Sequence, residues 1–82
     1  MKPVVIVIGG TDSSGGAGVS RDIATLTELE CEARPVITAV TAQTDMAVQA
    51  VMAISPDHVA QQLSCALASG PVGAIKTGML HS

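Results

Sequence analysis

Phenylalanine, tyrosine and tryptophan are absent from the 82 residues of this chain. Without aromatic rings there is no platform on which bases could stack, and any core must be built from Val, Ile, Leu, Met and Ala. Basic residues are scarce as well: there are four Lys and Arg, unclustered, in a chain of net charge −3. That pattern excludes the basic stripe that nucleic acid or an anionic membrane requires. Only two cysteines occur, Cys31 and Cys65. Neither belongs to a CxxC pair or to a Cys/His cluster with metal spacing, so they read as reduced thiols in a cytosolic protein. No apolar run reaches the ~20 residues of a membrane span. The aliphatic run after Lys2 and Pro3 is too short for a signal-peptide core. A soluble, cytoplasmic chain with no nucleic-acid and no membrane partner is expected.

Glycine, by contrast, is concentrated. Five of the ten residues of GGTDSSGGAG, Gly9 to Gly18, are glycine. The stretch follows the aliphatic run Val4 to Ile8 and precedes an amphipathic pattern that starts near Val19. A buried strand, a glycine-rich turn and a helix make a ligand-binding arrangement. Glycine lets backbone N–H groups approach a ligand closely, and the first helical turn offers unpaired donors and a positive dipole end. Asp12, Ser13 and Ser14 add an acceptor and two hydroxyls. A P-loop is excluded: Gly10 and Gly15 have its spacing, but Gly16 and Ala17 stand where Lys and Ser or Thr are required. The dinucleotide fingerprint is excluded too, because Arg21 occupies its third glycine position.

The rest of the chain reads as alternating elements. Val4 to Ile8 suits a strand buried on both faces, as in a parallel sheet. Val19, Ile23, Leu26 and Glu30 share one face of a helix of about four turns. Its end is poorly signalled, but Pro35 forbids continuation past Arg34. Val36 to Val40 is a second strand, with Thr41 to Asp45 as its polar exit. Ala47 to Ile54 alternates as a short strand or extended arm. Ser55 as cap, Pro56 and Asp57 start a second helix, which Gly70 and Pro71 stop. Val72 to Thr77 reads as another buried strand. In an open parallel sheet, ligands bind beyond the carboxyl ends of the strands. The glycine turn and Gln43 both follow a strand, so both belong at that edge.

On these residues the chain resembles a known family. GGTDSSGGAG is similar to the opening signature G-x-D-x-S-G-G-A-G of the bacterial hydroxymethylpyrimidine/phosphomethylpyrimidine kinases, thiamine-pathway enzymes of the ribokinase-like superfamily. The resemblance continues through VITAVTAQT (Val36 to Thr44), SPDHVAQQL (Ser55 to Leu63) and AIKTGML (Ala74 to Leu80). It implies an α/β, ribokinase-like parallel-sheet sandwich of which residues 1–82 are the N-terminal βα-β-β-αβ part, the substrate-binding portion of a single, truncated kinase domain. It further implies phosphorylation of an aminopyrimidine by ATP with Mg²⁺, and a homodimer for the full-length protein. The catalytic residue and anion hole are expected C-terminal to Ser82, so the chain alone is expected to be inactive. Two departures touch the substrate geometry: Ser20-Arg21-Asp22 replaces the frequent Gln-Ala-Asp, and Ala42-Gln43-Thr44-Asp45 replaces A-Q-N-T.

The resemblance also assigns substrate-binding roles. Gln43, an amide that donates and accepts at once, pairs with the pyrimidine edge. Met79 packs its thioether on the ring face. Gly10, Ala17 and Thr41 line the pocket, the last two through backbone groups. Asp12 orients donors or the substrate hydroxymethyl group, with a turn or helix-cap aspartate as the alternative. Lys76 reads as structural or solvated. His58 and His81 have no partners at metal spacing, and no metal ligand is assigned. A pyridoxal/pyridoxine kinase of the same superfamily and a non-catalytic α/β module binding a small ligand remain as alternatives.

Overall fold

A computed structural model describes residues 2–44 and 46–78. Six elements follow in order: β1 (Val4–Gly10), α1 (Gly18–Glu28), β2 (Glu32–Gln43), β3 (Val48–Ala53), α2 (Pro56–Ala68) and β4 (Ala74–Thr77). They form a four-stranded sheet of order β3-β2-β1-β4. β1 runs parallel to both β2 and β4, while β3 returns antiparallel along β2.

β1 is the central strand, and its alternation separates the two faces. Ile6 packs with Val36 and Ala66, and Ile8, Val59, Leu63 and Val72 surround that cluster, so α2 covers this face. Val7 and Gly9 point the other way, where Val19 of α1 lies within 3.4 Å of the position a Gly9 side-chain carbon would take. The two helices therefore sit on opposite faces of the sheet. Ile6, Val7 and Val36 are fully buried, as the continuous aliphatic runs predict for a strand covered on both sides. Among the described residues, no helix is long and apolar enough to cross a membrane.

Helix α2 follows its sequence signals closely. Ser55 Oγ accepts from the His58 N–H at 3.2 Å, and Pro56 opens the helix. Gly70, at φ +125, ends it beyond Ser69.

Three expectations are corrected. Helix α1 has 11 residues and ends at Glu28, a turn short of the expected length. Its stop is made by Glu30 in the left-handed region at φ 60, with the Cys31 N–H donating to Leu26 O at 2.9 Å. Glycine usually takes that position, and a glutamate there leaves no mark in the sequence. Strand β2 correspondingly starts at Glu32, before Pro35, and runs to Gln43. Strand β4 is shorter than expected, and all four of its residues are exposed, not buried.

Pro35 inside β2 has a geometric explanation. The Glu32 N–H donates to Pro3 O at 2.8 Å, and in a parallel ladder alternate residues face the same neighbour. Pro35 therefore turns its hydrogen-free nitrogen away from β1. β3 pairs no earlier than Ala39, so no strand needs a donor there. Ile37 faces that same side, and Gln62 of α2 takes the place of the missing strand. Gln62 Oε1 accepts from the Ile37 N–H at 2.8 Å and Gln62 Nε2 donates to Ile37 O at 2.9 Å. Arg34 binds the same helix near its carboxyl end, donating to Ala66 O at 3.0 Å and to Ser69 O at 3.3 Å. A cation there also suits the negative end of the helix dipole.

Replacing Gln62 with leucine leaves both Ile37 backbone groups unpaired against the helix. Gln62→Leu should lower stability by roughly 1–3 kcal/mol, whereas the exposed Gln61→Leu should stay within about 0.5 kcal/mol of wild type. Urea denaturation of both variants checks this; equal losses would remove Gln62 from the frame.

Candidate functional site

The glycine turn leaves β1 at the carboxyl edge of the sheet and is stitched to the last residues of β2. The Thr11 N–H donates to Ala39 O at 2.9 Å. The Thr41 N–H donates to Thr11 Oγ1 at 3.2 Å, and Thr41 Oγ1 donates back to Thr11 O at 2.6 Å. One step further, Ser13 Oγ accepts from the Gln43 N–H and donates to Gln43 O, both at 2.7 Å. Hydroxyl groups thus continue the β1–β2 ladder after the strand itself has ended at Gly10.

The turn is also held from within. Asp12 Oδ1 accepts from the Ser14 N–H at 2.8 Å and from the Ser14 hydroxyl at 2.6 Å. Asp12 O accepts from the Gly15 N–H at 2.9 Å. The Asp12 side chain is covered by this turn rather than sunk in the core, with the residue 9% exposed. Its carboxyl is lowered from 3.8 to about 2, first by the Ser14 hydroxyl and then by the Gln43 side chain, with partial opposition from burial. The chain then enters α1 at Gly18, φ +71. A side-chain carbon on Gly18 would stand 2.7 Å from Gly10 O and 3.3 Å from the Asp12 nitrogen. Only glycine lets the turn close this tightly on the strand. α1 receives no side-chain cap: Ala17 is extended, and the first turn holds no acidic residue.

A recess of about 420 Å³ lies under the turn, walled by Gly10, Asp12, Ala17, Thr41 and Gln43, with Lys76 and Asp22 at its side. Asp12, Ala17 and Gln43 also line an adjoining hollow of about 490 Å³ that extends towards Thr44 and Val48. Five of the six expected site residues therefore converge; the sixth, Met79, lies outside the described residues. Thr41 lines the recess, as expected of its backbone. Its N–H is engaged by Thr11 Oγ1. Lys76 pairs with Asp22, tying β4 to α1. A larger recess, about 760 Å³, lies beside α2 and the start of β2. It is at the opposite end of the strands, and the Arg34 guanidinium on its wall is bound to helix carbonyls.

Gln43 itself closes β2. It pairs with Val48 across a bulge that follows Ala42, and Thr44 seals the hairpin by donating its N–H to Ala47 O at 2.9 Å. The amide is therefore carried on a strand end held from both sides. Thr11 and Gln62 were not singled out by sequence reasoning, and Ser13 only as one of two hydroxyls in the glycine turn. The spacing Thr11/Thr41 and Ser13/Gln43, alternate residues on two successive strand exits, was the available signal.

A glycine turn between a parallel strand and a helix, over a recess at the carboxyl edge of the sheet, is an arrangement the chain shares with the ribokinase-like fold. The chain belongs to the phosphomethylpyrimidine kinase family, whose family model matches residues 12–82. It is 44% identical over 78 residues to the hydroxymethylpyrimidine/phosphomethylpyrimidine kinase of Synechococcus elongatus, covering 95% of this chain and 30% of that protein. The crystal structure of phosphomethylpyrimidine kinase from Clostridium difficile superposes with a TM-score of 0.94 at 36% identity, over 99% of this chain and 35% of the other. The pyridoxal kinase of Staphylococcus aureus in complex with pyridoxal gives 0.87 at 35% identity, over 100% and 31%. The chain thus spans at most about a third of the proteins it is compared with here.

Two outcomes follow from the turn. Gly18→Ala should lose roughly 1–3 kcal/mol through strain and contact with Gly10 O. Gly15, at φ +80, has open space around it, so Gly15→Ala should lose only about 1 kcal/mol from backbone strain. Equal losses in thermal melts would show that the Gly10 contact does not matter. The second outcome concerns acid. A carboxylate favoured in the folded state adds stability above about pH 4, and this is lost as pH falls towards about 2. Asp12→Asn should therefore flatten that part of the acid profile. A denaturation midpoint with the same pH dependence in wild type and variant would contradict the assignment.

Proposed function

We propose that this chain supplies the pyrimidine-binding half-site of an enzyme that phosphorylates 4-amino-5-hydroxymethyl-2-methylpyrimidine, and then its monophosphate, in thiamine biosynthesis. The observation that carries the reading is the position of Gln43. Its amide borders the recess beneath the glycine turn, on a strand end bonded to that turn. An amide presents one donor and one acceptor side by side. The edge of an aminopyrimidine presents the complementary pair, a ring nitrogen and an exocyclic amine. Asp12, ionised throughout the functional pH range, supplies acceptor charge in the same recess. These groups bind and orient the ring, and so hold its hydroxymethyl oxygen for in-line transfer.

The kinase family implies ATP as phosphoryl donor. ATP with Mg²⁺ would supply the phosphoryl group and neutralise the charge on its oxygens. Among the described residues, no group of three or more His, Cys, Asp or Glu side chains is placed to hold a metal ion. An Mg²⁺ ion carried on nucleotide phosphates takes only one or two protein carboxylates and keeps several waters, so such a cluster is not what it requires.

The test uses the full-length protein. Gln43→Leu leaves ring donors and acceptors unpaired, at roughly 1–3 kcal/mol for each lost bond. Affinity for hydroxymethylpyrimidine should fall about ten- to a hundredfold, and affinity for an ATP analogue should barely change. Gln43→Glu keeps an acceptor but loses the amide donors, and should also bind more weakly. Calorimetric titration reads both. Wild-type affinity for the pyrimidine in Gln43→Leu would remove the main support. Tighter binding of pyridoxal than of the pyrimidine to wild-type protein would favour the pyridoxal kinase alternative.

A further inference from the structure

We propose that Ser13 is the positioning residue for Gln43, its hydroxyl setting where the Gln43 amide stands in the recess. The inference rests on the pyrimidine-binding reading of Gln43 and assigns the residue that makes that reading work.

Gln43 lies where the ordinary sheet ladder has ended on one side and is irregular on the other. Towards β1, the strand ladder has already ended, with Gly10 opposite Ala39. Towards β3, the register shifts between Ala42 and Gln43, so the last pairing, with Val48, follows an irregularity. At this point Ser13 Oγ meets both backbone groups of Gln43, accepting from the N–H and donating to the carbonyl, at 2.7 Å each. A single hydroxyl thus fills the role of a whole strand residue. It does so from a side chain only one bond long, on the loop that carries Asp12. The peptide of Gln43 and the acidic turn are therefore locked in one frame.

A glutamine amide stands several bonds from its own peptide, so small backbone rotations are amplified at its tip. A rotation of roughly 10–20° moves such a tip by about 1 Å, and binding groups must be held within about 0.5 Å to be effective. Thr11 performs the related stitch at Thr41, two residues earlier, and does not reach the Gln43 peptide. Ser13 is exposed to solvent, so water can replace part of what its removal takes away. Its effect should accordingly be smaller than that of Gln43 itself.

The experiment is a double-mutant cycle in the full-length protein, read by calorimetric titration with hydroxymethylpyrimidine. Ser13→Ala should weaken binding about three- to tenfold, with affinity for an ATP analogue unchanged. Ser13→Thr keeps the hydroxyl and should bind as the wild type does. In the Gln43→Leu background, Ser13→Ala should add less than about twofold, because the group it positions is gone. An equal loss on both backgrounds would make Ser13 a general support of the turn and overturn the proposal. Wild-type affinity in Ser13→Ala would overturn it as well, as would a Thr variant as weak as the Ala variant. Failure of the underlying reading shows separately, as unchanged pyrimidine affinity in Gln43→Leu alone.

Discussion

The reciprocal bonds between Thr11 and Thr41 hold the glycine turn to the sheet, and the recess exists because of them. A parallel ladder ends where its shorter strand ends. Here the shorter strand is β1, and the residues after it are too glycine-rich to hold a conformation by local preference. Hydroxyl groups at alternate positions continue the pairing instead, and the turn is delivered to the start of α1 at a fixed height above β2. Gly18 then allows the chain to pass close over Gly10 O, where any side chain would collide. The walls of the recess follow from this: one wall is the turn, another is the end of β2, and the end of β1, Gly9 and Gly10, lies between them.

The elements written in side-chain pattern were legible in the sequence. Val4 to Ile8 announced a covered strand, and Ser55, Pro56 and Gly70 bounded α2 closely. What could not be read was decided by geometry that leaves no composition behind. Glu30 ends α1 in a left-handed conformation that favours glycine, so α1 looked longer than it is. Glu32 to Pro35 joins β2 because β1 offers a partner and because the missing donor of Pro35 faces no strand. β4 stands at the end of the order β3-β2-β1-β4 among the described residues, and apolar pattern alone does not tell an end strand from a central one. The meeting of Asp12, Ala17 and Gln43 was readable, since residues that leave parallel strands at their carboxyl ends share one edge. The bonds that enforce the meeting, from Thr11 and Ser13, were not, because serine and threonine beside glycine look like ordinary loop residues.

The backbone by itself does not choose between the pyrimidine and pyridine kinases. Solved members of both groups superpose on this chain over nearly its whole length. Discrimination falls to a few side chains on a common frame, and among the described residues Gln43 and Asp12 are the polar ones best placed for it. On the proposed reading, an amide on a clamped strand end and a carboxylate fixed by its own turn would recognise a ring edge by where donors and acceptors stand.

The placement of β1 also governs the order in which the chain can be assembled. Among the described strands, β1 comes first in sequence and lies inside the sheet, and its two edges are satisfied by segments from very different points in the sequence. β2 follows after a single helix, so that edge closes early and over a short span. The other edge waits for Ala74 to Thr77, the last strand described. Until those residues emerge, the most apolar strand of the chain presents an open edge, the kind of surface on which partly folded chains associate. The first strand described is thus fully paired only once the last one described has been made, and its protection during synthesis depends on how quickly β4 follows.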